Sequence, residues 1–280
     1  MQRGKKQPSW GYDNENGPHT WSRFFPKAAG AFQSPVNLDF GQAVFSAKLN
    51  NPPLRCAYQD LPDCQLSNTG HSFQVASGSG DLATVEGGPL LCRYQFAQFH
   101  MHWGSGDSWG SEHALNGRLF PAELHLVHWN AGKFSSFQEA AAIKDGLAVL
   151  GVFVDIGAEH PAMARVLQHF DKIRAPGSKV PLAEPINLAN FLPANLTEIF
   201  SYEGSLTTPP CFESVQWTVF REPITMSAEQ FAQLRSLSCG HASPTGDREQ
   251  QMVDNYRHLI PLGKRRLVTS CSPEVLRDGK

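Results

Sequence analysis

No stretch of the 280 residues approaches the roughly 20 consecutive apolar positions of a membrane-spanning helix. The opening residues, Met1 to Trp10, are basic and polar with no hydrophobic segment, so as they stand they do not read as a secretory signal. C-x-x-C pairs are also missing. The six cysteines (Cys56, Cys64, Cys92, Cys211, Cys239, Cys271) do not look like a disulfide framework in so long a chain, and the simple reading is buried reduced thiols in a cytosolic protein. Charge of one sign is absent too: 24 basic and 26 acidic side chains leave a net charge of −2, with no footprint for nucleic acid or an anionic membrane. A basic cluster, Arg3, Lys5 and Lys6, lies in residues 1–9, expected to be a flexible tail. Linkers, repeats and low-complexity tracts are lacking, and the 20 prolines and 24 glycines are scattered. One domain over residues 1–280, with a sizeable core, is therefore expected. The sequon Asn195-Leu196-Thr197 would matter only in a secreted chain.

What is present is a series of short strand-like runs. They fall at Ser72–Val75, Leu82–Val85, Tyr94–Trp103, Ala122–Trp129, Leu147–Val154 and Val215–Phe220, with turn residues between most of them. Leu147–Val154 is almost wholly apolar and reads as a central strand buried on both faces, a short buried helix being the alternative. Val215, Trp217 and Val219 alternate with Ser214, Gln216 and Thr218, the pattern of a half-buried strand. Helices are few: Ala228–Leu237, opened by a capping box of Ser227 and Gln230, then Ser135–Ile143 and Met163–Phe170, the last with Pro161 suited to its first turn. The expected fold class is mainly β (α+β): a large twisted, mostly antiparallel central sheet with short peripheral helices.

Three histidines stand out. In Phe99-His100-Met101-His102-Trp103, strand parity puts His100, His102 and Gln98 on one face. In Glu123-Leu124-His125-Leu126-Val127, His125 shares its face with Glu123 and Val127, and His128 points the other way. On a strand, Cα atoms two residues apart are separated by about 6–7 Å, which lets two imidazoles converge on one ion. Three histidines with a fourth position open are the ligand set of a catalytic zinc, whereas a structural zinc needs a fourth protein ligand. The plainer alternative is three hydrogen-bonded core histidines. Gln98 and Glu123 favour the metal, because ligand imidazoles need their second nitrogen oriented by an acceptor. No such acceptor for His102 is visible nearby, though a backbone carbonyl could serve.

The segments Phe99–Ser105, Gly110-Ser111-Glu112-His113, Ala122–Asn130 and Gly204-Ser205-Leu206-Thr207-Thr208-Pro209-Pro210 together resemble the α-carbonic anhydrases, closest in character to the cytosolic animal members. The resemblance runs from Trp10-Gly11-Tyr12 through Gln33-Ser34-Pro35-Val36-Asn37 to Asp254-Asn255-Tyr256-Arg257, nearly the whole chain. It implies a zinc lyase that reversibly hydrates carbon dioxide to bicarbonate and a proton. Zinc on His100, His102 and His125 would carry hydroxide as nucleophile, with Gln98, Glu123 and Asn255 behind the ligands. Thr207 would accept a hydrogen bond from that hydroxide and donate one to Glu112. Val127, Val149, Leu206, Val215 and Trp217 match the family's carbon dioxide pocket, each being equally readable as core, and Thr208 would help anchor bicarbonate. His71 matches the proton-shuttle position, Tyr12 and Asn68 residues that order water, and His113 and Tyr202 outer supports.

The same resemblance implies a monomer, inhibition by arylsulfonamides and a possible side esterase activity; a peptidase is disfavoured by the lack of an H-E-x-x-H helix. A catalytically silent binding module is the alternative, since such members have lost a zinc histidine, yet all three stand here. Secreted relatives commonly pair a cysteine at the position of Ala28 with one at Cys211, and that partner is missing. Together with the absence of a hydrophobic C-terminal tail, this leads to the expectation of a cytoplasmic protein with small-molecule partners only.

Overall fold

A computed structural model describes residues 10–242 and 249–278. The expected tail over residues 1–9, with Arg3, Lys5 and Lys6, lies outside the described residues. Six strands build the middle of the molecule: β1 (Phe73–Ala76), β2 (Tyr94–Trp103), β3 (Ala122–Trp129), β4 (Leu147–Ile156), β5 (Ile199–Gly204) and β6 (Val215–Phe220). They lie side by side in the order β1-β2-β3-β4-β6-β5, within a sheet of 13 strands. Pairing is antiparallel except between β4 and β6, which run parallel, so the sheet is mixed.

The two faces of this sheet carry different chemistry because side chains alternate. Phe99, Met101 and Trp103 of β2, Leu124 and Leu126 of β3, and Leu150 and Val152 of β4 point into one large apolar cluster. The opposite face bears the histidines and a second cluster that includes Val127, Val149, Val215 and Trp217. Register then aligns the key residues: His100 lies directly opposite His125, and His125 opposite Gly151. A Cβ at Gly151 would sit 3.2 Å from Glu123 Oε1, so hydrogen alone leaves that carboxylate unpressed.

The apolar run beginning at Leu147 is a central strand buried over Leu147–Val154, as its composition demands. Val215–Phe220 departs from the half-buried expectation: Thr218 and Ser214 are buried as well, because strands flank it on both sides and apolar clusters cover both faces. The helices are shorter than the sequence suggests: α1 (Phe137–Ala142), α2 (Pro161–Leu167) and α3 (Ala228–Leu234). Ser227 and Gln230 form the capping box of α3, and Pro161 opens α2.

His128, on the face away from the other histidines, donates from Nδ1 to Leu126 O at 3.1 Å and meets the Tyr58 hydroxyl at Nε2, 3.0 Å away. A carbonyl only accepts, so Nδ1 carries the proton and Nε2 accepts from tyrosine. Burial pushes this imidazole from 6.5 down to about 3. A folded-state value below the unfolded one means the unfolded chain takes up the proton first as pH falls. His128 therefore contributes fully above pH 6.5 and progressively less towards pH 3, at no more than about 1.4 kcal/mol per pH unit. Urea titrations of the metal-free protein between these limits should give a shallower pH slope for His128→Gln than for wild type. Identical slopes would contradict a buried neutral His128.

Candidate metal centre

Each of the three histidines has one ring nitrogen fixed by an acceptor. His100 Nδ1 donates to Gln98 Oε1 (2.9 Å), His102 Nδ1 to the Asn255 carbonyl (2.7 Å), and His125 Nε2 to Glu123 Oε1 (2.7 Å). By elimination the remaining nitrogens, Nε2 of His100 and His102 and Nδ1 of His125, keep their lone pairs. The three residues offer ligand atoms that all lie within 4.8 Å of one another, with ring centroids 4.9–5.3 Å apart. His102 Nε2 is buried without a hydrogen-bond partner among the described residues. Enclosure, reinforced by the neighbouring imidazoles, holds His100 well below the ordinary histidine value; burial likewise lowers His102. Neutral imidazoles are what a zinc ion requires, and burial favours that form at His100 and His102. The residues therefore fit the ion.

His113, Glu123 and His125 form a second close group, but their atoms are already spent on one another. Glu123 is fully buried and accepts four hydrogen bonds: from the backbone N–H of Glu112 (2.9 Å) and His113 (2.7 Å), from His113 Nδ1 (2.7 Å) and from His125 Nε2 (2.7 Å). Burial alone would raise its carboxyl, yet the two imidazoles and their hydrogen bonds hold it well below the usual carboxylate range. His113 continues through Nε2 to the Tyr202 hydroxyl (2.6 Å), which reaches Ser34 Oγ (2.9 Å). Ser34 in turn receives the N–H of Ser205 (3.0 Å), just ahead of Leu206 and Thr207.

Thr207 is buried on the loop after β5, where Trp217 Nε1 donates to Ser205 O (3.0 Å) and Cys211 N–H to Thr208 O (2.9 Å). The hydrogen bond from Thr207 to Glu112 implied by the resemblance is not made. Glu112 Oε1 accepts from the Arg257 backbone (2.9 Å), and Oε2 has no hydrogen-bond partner among the described residues, facing His102 Nε2 at 3.3 Å and His125 Nδ1 at 3.9 Å. Val127, Val149, Val215 and Trp217 join one apolar cluster with Leu206 packed against it, and the Trp217 ring lies 4.8 Å from His125.

Asn68 departs from the water-ordering role. Its amide donates to Arg174 O and Ser238 O (both 3.0 Å), and its Oδ1 accepts from Gly70 (2.8 Å), which binds the side chain into its turn. Tyr12, His71 and Asn255, by contrast, surround one small cavity of about 40 Å³. The Tyr12 hydroxyl is buried without a hydrogen-bond partner among the described residues, and burial with nearby Glu112 holds its pKa well above the usual value. The His71 ring stacks on Trp10 at 3.7 Å and donates from Nε2 to the Trp10 carbonyl (2.8 Å). Asn255 ties these parts together. Its carbonyl holds His102, its Oδ1 accepts from Trp103 N–H (2.8 Å), and its Nδ2 donates to His71 O (2.8 Å).

Three imidazoles on a sheet, backed by Gln98, Glu123 and a main-chain carbonyl, form a group that could hold one metal ion. The lineage agrees. Residues 16–271 match the family model for eukaryotic-type carbonic anhydrase. The chain is 44% identical to Carbonic anhydrase 7 of Homo sapiens over 254 residues, 90% of this chain and 94% of that protein. It is likewise 44% identical, over the same shares, to Carbonic anhydrase 7 of Mus musculus. The chain belongs to the eukaryotic-type carbonic anhydrase family.

Proposed function

We propose that this chain catalyses the reversible hydration of carbon dioxide to bicarbonate and a proton, at a zinc ion held by His100, His102 and His125. The observation that carries the reading is the set of three imidazoles, each with one nitrogen anchored and with ligand atoms within 4.8 Å of one another, beside an apolar cluster. Zinc bound there supplies a Lewis acid and lowers the pKa of water to about 7, a value whose standard example is carbonic anhydrase itself. Gln98, the Asn255 carbonyl and Glu123 hold the ligand rings in the tautomers that leave lone pairs aimed inward. Val127, Val149, Leu206, Val215 and Trp217 offer hydrocarbon to an uncharged linear substrate, and Thr207 and Thr208 offer hydroxyls to the bicarbonate product.

His71 takes the proton outward. An imidazole with an ordinary pKa near neutrality suits a proton carrier, and the ring is held at the cavity by its Nε2 hydrogen bond to the Trp10 carbonyl. The cavity shared by Tyr12, His71 and Asn255 exceeds the roughly 10–15 Å³ that one water needs. A reducing compartment, the cytoplasm, suits the six cysteines, all free. No helix among the described residues is long and apolar enough to cross a membrane.

Stopped-flow hydration by zinc-loaded protein, in weak and in strong buffer, tests both parts. Wild type should turn over carbon dioxide in both; a zinc-loaded protein without activity would end the proposal. His71→Ala should slow turnover in weak buffer by about tenfold or more and recover with added imidazole. Unchanged turnover in weak buffer would remove His71 from the relay.

A further inference from the structure

The turn that follows β3 buries a polar side chain without using it. Asn130 N–H donates to Gly146 O (2.9 Å), and its carbonyl accepts from the N–H groups of Lys133 (3.2 Å) and Phe134 (3.1 Å), so its backbone is fully committed. Its side-chain amide, in a residue only 6% exposed, has no hydrogen-bond partner among the described residues. Buried amides are nearly always paired, and one that is not needs a partner from outside the chain. Asn130 forms part of the wall of a surface hollow of about 560 Å³.

Two strands and a tight turn complete that wall. Thr84, in the strand Ala83–Glu86, stands directly opposite Gln95 of β2, so their side chains share a face. Neither makes a side-chain hydrogen bond among the described residues. The turn Gly80–Leu82 packs so closely on β2 that a Cβ at Gly80 would clash with Phe96 O, and this approach brings Asp81 to the hollow. Arg93, just ahead of β2, and Lys133, just after Asn130, bring two exposed cations. Lys133 Nζ lies 5.2 Å from the centre of the Phe134 ring. Among the described residues neither cation forms an ion pair, and nor does Asp81.

Two unpaired cations, three uncommitted neutral groups and one carboxylate select a ligand of mixed character. A cation would meet net repulsion, and a bare dianion would leave Asp81 opposed to it. A phosphate group on a hydroxylated skeleton satisfies both halves: its oxygens accept charge-assisted hydrogen bonds from Arg93 and Lys133. Its hydroxyls donate to Asp81 and exchange hydrogen bonds with Thr84, Gln95 and Asn130. We propose that this hollow binds a sugar phosphate. Gln95 lies five residues before His100, about 16 Å along the strand, so the site is separate from the histidines and does not rest on the hydration chemistry.

Cys92, an exposed thiol on the same wall, reports occupancy. On the zinc-loaded chain, glucose 6-phosphate should slow the labelling of Cys92 by N-ethylmaleimide, followed by peptide mass spectrometry, and the protection should saturate. Lys133→Ala, at an exposed position outside both apolar clusters, should unfold in urea like wild type and raise the half-protecting concentration about tenfold. Glucose and inorganic phosphate, each carrying one half of the ligand, should protect about tenfold less well or worse. Labelling that glucose 6-phosphate leaves unchanged at tens of millimolar would overturn the proposal. So would inorganic phosphate protecting as well as the ester, or protection that Lys133→Ala leaves at wild-type strength.

Discussion

Alanine at position 100 should abolish carbon dioxide hydration and weaken zinc binding by more than a hundredfold. Changes to groups that merely orient a ligand cost about 10–100-fold in metal affinity, and removal of a direct ligand must exceed that range. His100 is half-buried at the mouth of the trio, opposite His125, and its one side-chain anchor is Gln98. Its loss opens no hole in either apolar cluster, so the metal-free variant should keep the urea midpoint of wild type. Zinc affinity by competition against a chromophoric chelator, alongside stopped-flow hydration, separates the two effects. A variant that still holds zinc tightly, or that hydrates carbon dioxide at the wild-type rate, would refute the assigned ligand set.

The second large effect belongs to Glu123. Alanine there strands four donors, two backbone N–H groups and two imidazole N–H groups, in a site without solvent. Each buried, unpaired donor costs about 1–3 kcal/mol, so destabilisation should reach about 4 kcal/mol or more. His125 also loses the acceptor that keeps its proton on Nε2, and zinc affinity should fall about 10–100-fold on top. Glu123→Gln is the informative companion, since it preserves volume but turns an amide NH₂ towards groups that themselves donate. It should be markedly destabilised as well. Urea unfolding of the metal-free variants decides the point: a loss below about 1 kcal/mol would mean that Glu123 is a bystander.

Strand parity made much of this centre legible. The alternation around Phe99 and Leu124 separates the histidine face from the core face, and Gln98 and Glu123 fall on the correct side because both lie two residues from the histidine they serve. The acceptor for His102 could not be read the same way. Any residue has a carbonyl, and the one used belongs to Asn255, brought in from a distant segment. Asn68 shows the opposite failure, since an amide suited to ordering water is equally suited to closing a turn. Glu112 was recognisable as a site residue, yet the direction of its carboxylate depends on the Arg257 backbone, which no local pattern encodes. Buried Thr218 marks where alternation misleads: a polar residue in a strand flanked on both sides need not face solvent.

Asn255 has a consequence for how the enzyme comes into being. It stands 153 residues after His102 and 184 after His71, and it holds both. The three ligand histidines leave the ribosome with the first half of the chain, but one of them lacks its orienting carbonyl until nearly all of the rest has followed. At about 5–20 residues per second, that interval lasts roughly 8–30 seconds. The orientation of the His102 ring is thus a property of the finished molecule and not of the nascent chain.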